Sequence, residues 1–294
     1  MSKVLPVIRV GQFSESPVLA LAGALNLGET YGISWTTERV TSSPSQFQSL
    51  QQGEIDIAIT SPDNVMLYGT TSKNPLQTEL ELELLRPIDR GMGLALYSAA
   101  NVEAASEFNG AKIGVDVPNS GFAFLLLAML AQLGVDTSSV KLESIGATPR
   151  RLAAVQDGAV SATILNAETA LAAEASGLKK WATSVDVSQN YLGTVLAQLQ
   201  ANTQPAIDNF LKMWSEATEQ FLYLSVRELA DLLKVLSPAL ANPEYLRLAK
   251  SQEFGLIQNE PIRFEQLKLL AEIRSEFGAY VPSDESLEAL VRPG

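Results

Sequence analysis

The chain is predicted to fold as two α/β lobes, each built on a mainly parallel sheet, joined by a two-strand hinge and followed by a helical C-terminal tail. Three observations predict this. First, 294 residues are more than one simple core uses and suit two lobes. Second, short β-rich runs alternate with helix-periodic segments, and strands separated by helices pair in parallel because a parallel return needs a crossover. Third, one pattern occurs twice. Gln52-Gly53-Glu54-Ile55-Asp56-Ile57-Ala58-Ile59 and Asp157-Gly158-Ala159-Val160-Ser161-Ala162-Thr163-Ile164 both read as helix end, glycine stop and buried strand.

Taken in order, Val7–Val10 is a short β-rich run, and Phe13-Ser14-Glu15-Ser16 is a polar turn. From Pro17 to Leu27 the apolar residues recur at helical spacing. A strand at 34–40, a helix at about 44–52 and a strand at 55–60 complete the first βαβαβ unit. The second unit has a strand at 112–115, a strongly apolar helix at 122–133, a strand at 140–144, a helix at 149–156 and a strand at 162–165. The strand-like runs Gly91–Tyr97 and Tyr191–Ala197 are the expected crossings. They divide the chain into a first lobe of residues 1–96 with 195–294 and a second of residues 97–194. Helices are expected near 205–224, 225–236, 243–252, 262–277 and 283–291, as a tail on the first lobe.

Composition removes several classes of function. With 46% hydrophobic and 18% charged residues the chain is ordinary for a globular protein. A formal charge of −12 repels phosphate backbones, so nucleic acid is not an expected partner. Neither cysteine nor histidine is present, which excludes thiolate nucleophiles, disulfides, Cys/His zinc sites and a Ser-His-Asp triad. Glu79-Leu80-Glu81-Leu82-Glu83 alternates acid with leucine and reads as a solvated edge. Neither a dinucleotide glycine pattern nor a phosphate-binding P-loop occurs, so no metal and no cofactor are expected. No apolar run reaches the ~18 residues of a membrane span. Residues 1–6 lack the apolar core of an export signal. An extracytoplasmic location with the signal removed is the first expectation, and a cytoplasmic one the alternative.

Ser16-Pro17, Ser43-Pro44, Ser61-Pro62 and Thr148-Pro149 mark helix starts after strands, where a hydroxyl caps and proline fits the first turn. Ligands of open α/β sheets bind at that edge, beside helix N-termini. The candidate ligand contacts are therefore Phe13, Ser14, Ser16, Ser42, Ser61, Asp63, Asn64, Asn119, Ser120 and Asn166, with Tyr191 from the crossing and Arg90 as the partner of an anion. Asp63 would accept from a ligand amine. Trp35 and Tyr68 are further aromatics near the predicted cleft. Arg86 is expected in a surface salt bridge with Glu79, Glu81, Glu83 or Asp89, and Arg150-Arg151 is expected to face solvent in the first turn of its helix, with contact to an anion at the rim as the alternative.

Leu50-Gln51-Gln52-Gly53-Glu54-Ile55-Asp56-Ile57-Ala58, Gly110–Val115, Gly134-Val135-Asp136 and Gln156–Ala162 together resemble the type II periplasmic-binding-protein fold. Within it they are similar to the family of sulfonate, taurine and nitrate binders and thiamine-pyrimidine-related proteins. The resemblance covers roughly residues 7–200. It departs at Ser161, where members usually carry an acid matching Asp56, and in lacking the cysteine and histidine features of the pyrimidine synthases. It implies a monomeric solute-binding protein of an ABC-type transporter that clasps a small anionic or zwitterionic ligand (sulfonate, carboxylate or N-heterocycle), with transporter membrane subunits as partners. The alternative is a cofactor-free, cytoplasmic small-acid lyase on the same scaffold, using Asp63, Asp116, Glu15 or Tyr191 as acid or base.

Overall fold

The structure, a computed structural model, describes residues 4–292. The first half runs β1 (Val7–Gln12), α1 (Pro17–Ala24), α2 (Leu27–Thr30), β2 (Ser34–Arg39), α3 (Ser43–Gln51), β3 (Ile57–Thr60), α4 (Pro62–Thr70) and β4 (Leu82–Asp89). The second runs β5 (Ala95–Ser98), β6 (Lys112–Val115), α5 (Gly121–Gln132), β7 (Lys141–Ser144), α6 (Thr148–Gln156), β8 (Ala162–Leu165), α7 (Ala167–Ala175), β9 (Lys179–Thr183) and α8 (Ser184–Val187). Then come β10 (Thr194–Leu199), α9 (Pro205–Tyr223), α10 (Val226–Leu233), α11 (Pro243–Ala249), α12 (Phe264–Glu276) and α13 (Asp284–Ala289).

Two five-stranded sheets result, ordered β2-β1-β3-β10-β4 and β7-β6-β8-β5-β9. In each, three strands pair in parallel and the fourth position runs antiparallel. That fourth strand is always the one arriving from the other half, β10 in the first sheet and β5 in the second. The duplicated plan expected from the repeated glycine-stop motif is therefore present, and the two lobes are tied by exchanged strands. Ala95 and Leu96 pair with Leu165 and Ile164 in the second sheet, while Thr194 pairs with Asp89 in the first. The crossings thus occupy residues 90–94 and 184–193.

Alternation along the strands sorts the core into layers. Ile8, Val10, Ile57, Leu85, Ile88 and Leu196 face Phe210, Trp214 and Phe221 of α9. Ala58, Leu84, Val195 and Ala197 face Phe47, Val65 and Met66 on the other side. In the acidic run the leucines turn inward and Glu79 and Glu81 stay exposed, so β4 begins at Leu82, within the stretch read as a solvated edge.

Helix α5 is buried along almost its whole length because the second sheet covers one side and α12 the other. The tail helices fall close to their expected spans and touch both halves. While α9 and α10 pack on α1 and α12 and α13 on α4, α11 also reaches α7 and α12 also reaches α5, both in the second half. The Ala-rich α7 and the short β9 were not legible as elements in the sequence. Ala-rich segments lack the apolar stripe that marks a helix, and Lys179-Lys180 masks the alternation of β9.

The Ser161 departure has a structural counterpart. Asp56 accepts Arg9 Nε at 2.9 Å, Nη2 at 2.7 Å and the Arg9 backbone N–H at 2.8 Å. At the matching register of the second sheet Ser161 stands beside Lys112, and Lys112 pairs with Glu143 on β7 instead.

Candidate functional site

The carboxyl ends of the parallel strands in both sheets lead into helix starts, and those starts hold most of the candidate residues. Ser16, Ser42, Ser61 and Ser120 cap α1, α3, α4 and α5, accepting from the backbone N–H of Leu19, Ser45, Asn64 and Ala123 at 3.2–3.3 Å. Their hydroxyls are engaged by their own helices. Asn64 donates to Thr60 Oγ1 at 3.1 Å. Asn166 caps α7 without a side-chain bond, and the left-handed Ala167 that follows donates to the crossing at Met92 O. Phe13 is half-buried after β1, whereas Ser14, Glu15 and Asn119 are exposed. Glu15 accepts from the Ser237 hydroxyl.

Four expectations change. Asp63 is not open to a ligand amine. It is buried, both its oxygens accept from Arg274 Nη1 at 2.9 and 2.8 Å, and the Gly121 N–H at the start of α5 also points to it. Arg274 in turn stacks over Phe124 of α5, 4.9 Å from the ring centroid. Burial pushes the Asp63 carboxyl up, and Arg274 and the Gly121 amide oppose the rise. Arg151 does not face solvent. It is 3% exposed and donates to backbone carbonyls at the ends of β7 and β8, while Arg150 stays outside. Trp35 is a packing residue on the edge strand, lying against Gly28 of α2 in the first-lobe core. Arg86 bonds the carbonyl of Leu85 rather than an acid.

Arg90 sits at the outgoing crossing, a quarter exposed, 3.5 Å from Glu260. Tyr191 lies in the returning one and is buried, and burial, helped by the negative charges of Asp63 and Asp89, holds its hydroxyl far above the ordinary phenol range. Asp116, after β6, is half-buried, and burial raises its carboxyl against the pull of Arg151.

Asp89 is the residue on which the two crossings meet, and the sequence offered it only as one of four possible partners of Arg86. Its carboxylate accepts the Gly91 N–H at 2.7 Å on the outgoing side and the Thr194 hydroxyl on the returning side. Its carbonyl accepts Gly193 N–H at 2.9 Å. A side chain at Gly193 would come within 2.4 Å of Gly91 N and Asp89 Oδ1, so only glycine fits. Gly91, Met92 and Gly93 all have positive φ, which lets the chain turn sharply between the sheets. Burial raises the Asp89 carboxyl to about 6 despite these hydrogen bonds.

Comparison with solved structures gives the fold. The alkanesulfonate-binding protein SsuA from Xanthomonas axonopodis pv. citri bound to MOPS is 15% identical with a TM-score of 0.77, covering 99% of this chain and 100% of that one. The conserved Candida albicans protein described as defining a new family with the generic periplasmic-binding-protein fold is 16% identical with a TM-score of 0.75, over 98% and 96% of the two chains. The periplasmic nitrate-binding protein NrtA from Synechocystis PCC 6803 is 12% identical with a TM-score of 0.73, over 98% and 86%. No protein-family model matches the chain, and no curated protein matches it in sequence. The chain has the periplasmic-binding-protein fold, as the resemblance implied.

Proposed function

We propose that this protein is an extracytoplasmic solute-binding component of an ABC-type importer, whose lobes close on a small anionic or zwitterionic molecule and present it to membrane subunits. The observation that carries the reading is the arrangement around Asp89: two lobes of the same topology, with the carboxyl ends of their parallel strands leading into helix starts, and two chain crossings between them that meet at one buried carboxylate. Such a hinge lets the lobes rotate as bodies, and binding energy from a ligand touching both shifts the balance to the closed form. The solved structures with this fold include an alkanesulfonate-binding and a nitrate-binding protein, which supports the same ligand classes here.

The lyase reading has less to draw on. Asp63 is neutralised by Arg274, Tyr191 stays protonated across the physiological range, and Glu15 is exposed. Of the four residues that reading names, Asp116 is a half-buried carboxyl raised by burial that makes no ion pair among the described residues.

A thermal-shift screen with taurine, ethanesulfonate, nitrate, small carboxylates and pyrimidines tests the proposal. A bound ligand at about 100 times its Kd stabilises by about 2.7 kcal/mol, a rise of several degrees for a chain of this size. The hit is expected to be recovered unchanged after incubation. Conversion to a product, abolished in Asp116→Asn with binding retained, would establish the lyase instead.

A further inference from the structure

The start of α6 differs from the serine-capped starts of α1, α3, α4 and α5. It begins after Ala147, which has no side-chain oxygen to offer, and no capping bond is made. The first turn carries Arg151. Its Nη1 donates to Gly146 O at 2.7 Å, and its Nε and Nη2 to Ile164 O at 3.3 and 3.2 Å. A guanidinium has five N–H donors, so these three bonds leave two. Among the described residues no carboxylate lies within ion-pair distance of it. Asp116 acts on it only through its field, and burial draws the guanidinium down to about 10. A buried cation without a counter-ion is costly to hold, and an arriving anion removes that cost.

The first lobe supplies a matching irregularity. The Tyr68 hydroxyl is fully buried and makes no hydrogen bond of normal geometry, although Ser43 is beside it and Asp116 of the opposite lobe is near enough to raise its pKa. Stacking on Phe47, with ring centroids 4.2 Å apart, fixes the ring and therefore the direction of the hydroxyl. Gln46 is similar. Its Nε2 bonds Gly11 O and Ile59 O near the ends of β1 and β3, and its Oε1 is buried with no donor. Orphaned polar atoms of this kind are rare in a folded protein, and a partner that binds there is one physical reason for them.

We propose that Arg151 and the uncapped start of α6 form an oxyanion subsite on the second lobe, completed on closure by the Tyr68 hydroxyl of the first. The ligand group is a carboxylate or sulfonate. Gln46 Oε1 accepts a hydrogen bond from an N–H or O–H elsewhere on the same molecule. This assignment rests on the solute-binding reading and places charge recognition at Arg151 rather than at Arg90, whose guanidinium faces Glu260.

Isothermal titration with ethanesulfonate and acetate, and with acetamide and dimethyl sulfone as uncharged counterparts, tests it in the full chain. Arg151→Gln is expected to weaken the anionic probe by about 10- to 100-fold, and Tyr68→Phe by about tenfold. Arg90→Gln is expected to leave it unchanged, and any affinity for the uncharged probes should survive all three changes. Because Arg151 also ties two loops, circular dichroism checks each variant, and Arg151→Lys with Tyr68→Phe decides the matter if Arg151→Gln does not fold. Anion affinity unchanged in Tyr68→Phe and in either Arg151 variant overturns the subsite, as does a wild-type chain that binds only uncharged probes. In that last case the solute-binding reading survives. If no probe of either kind binds and native mass spectrometry finds no small molecule carried through purification, that reading falls and takes the subsite with it.

Discussion

Asp63 and Arg274 stand 211 residues apart in the chain and form a buried ion pair where α4, α5 and α12 meet. Each is 3% exposed, so neither charge has water to fall back on. The pair belongs to the first half and the tail, yet it accepts Gly121 N–H and covers Phe124 from the second half. It is a contact between the lobes close to the hinge.

Breaking that pair from one side leaves an uncompensated buried charge. Arg274→Met is expected to lower unfolding stability by about 3–5 kcal/mol. Adding Asp63→Asn in the same chain should recover a sizeable part of the loss, because the stranded carboxylate is gone. Urea denaturation of the two single variants and the double variant measures the coupling. Strictly additive losses would mean that the two side chains do not depend on each other.

Gly193→Ala places a methyl group 2.4 Å from Gly91 N, against backbone that has no room to yield. The expected cost is about 3 kcal/mol, and ligand-driven closure should be impaired in the chains that still fold. Gly134→Ala is the control, because a Cβ there meets nothing within 4 Å, although its positive φ makes it mildly unfavourable too.

The hinge carboxylate also sets a pH dependence. Asp89 has its folded pKa raised to about 6, so between the ordinary unfolded value and 6 the native chain holds a proton that the unfolded chain has released. Stability from this group is therefore highest at acid pH and falls as pH rises through that window, by about 3 kcal/mol in all. Asp89→Asn keeps an acceptor for Gly91 N–H and removes the titration. It should match wild type near pH 4 and exceed it at pH 8, as read from denaturation midpoints across that range.

Asp56 behaves in the opposite sense. Burial alone would raise its carboxyl, but the side-chain and backbone hydrogen bonds from Arg9 hold it below the usual range. Its contribution is present above the unfolded carboxyl pKa and is lost as pH falls through the lower, folded value. Arg9→Met is expected to cost about 1 kcal/mol at neutral pH, because Arg9 is partly solvated, and less at pH 3. Equal losses at both pH values would show that packing rather than charge is involved.

What could be read in advance was whatever the chain writes locally. The glycine stops at Gly53 and Gly158 and the Ser-Pro dipeptides are short-range signals, and they placed the caps of α1 and α4 at Ser16 and Ser61, whereas the caps of α3 and α6 fall one residue early, on Ser42 and on Ala147 in place of Ser43 and Thr148. Asp63 looked free because its partner arrives from a helix two hundred residues later, where Arg274 resembles any other last-turn arginine. Arg151 looked exposed because its neighbour Arg150 is, and because helix periodicity says nothing about a guanidinium that turns inward to bond carbonyls. The orphaned Tyr68 hydroxyl follows from its stacking on Phe47, which only the packed core defines.

The most direct test uses the absence of native cysteine. Gln48→Cys on α3 and Asp157→Cys at the end of α6, both exposed positions in opposite lobes, accept a pair of spin labels. The distance distribution between them is measured without ligand and with a saturating probe taken from the thermal-shift screen. A ligand held between the lobes is expected to shift the distribution to a shorter and narrower range. A probe that raises the melting temperature yet leaves the distribution unchanged would contradict closure on a shared ligand.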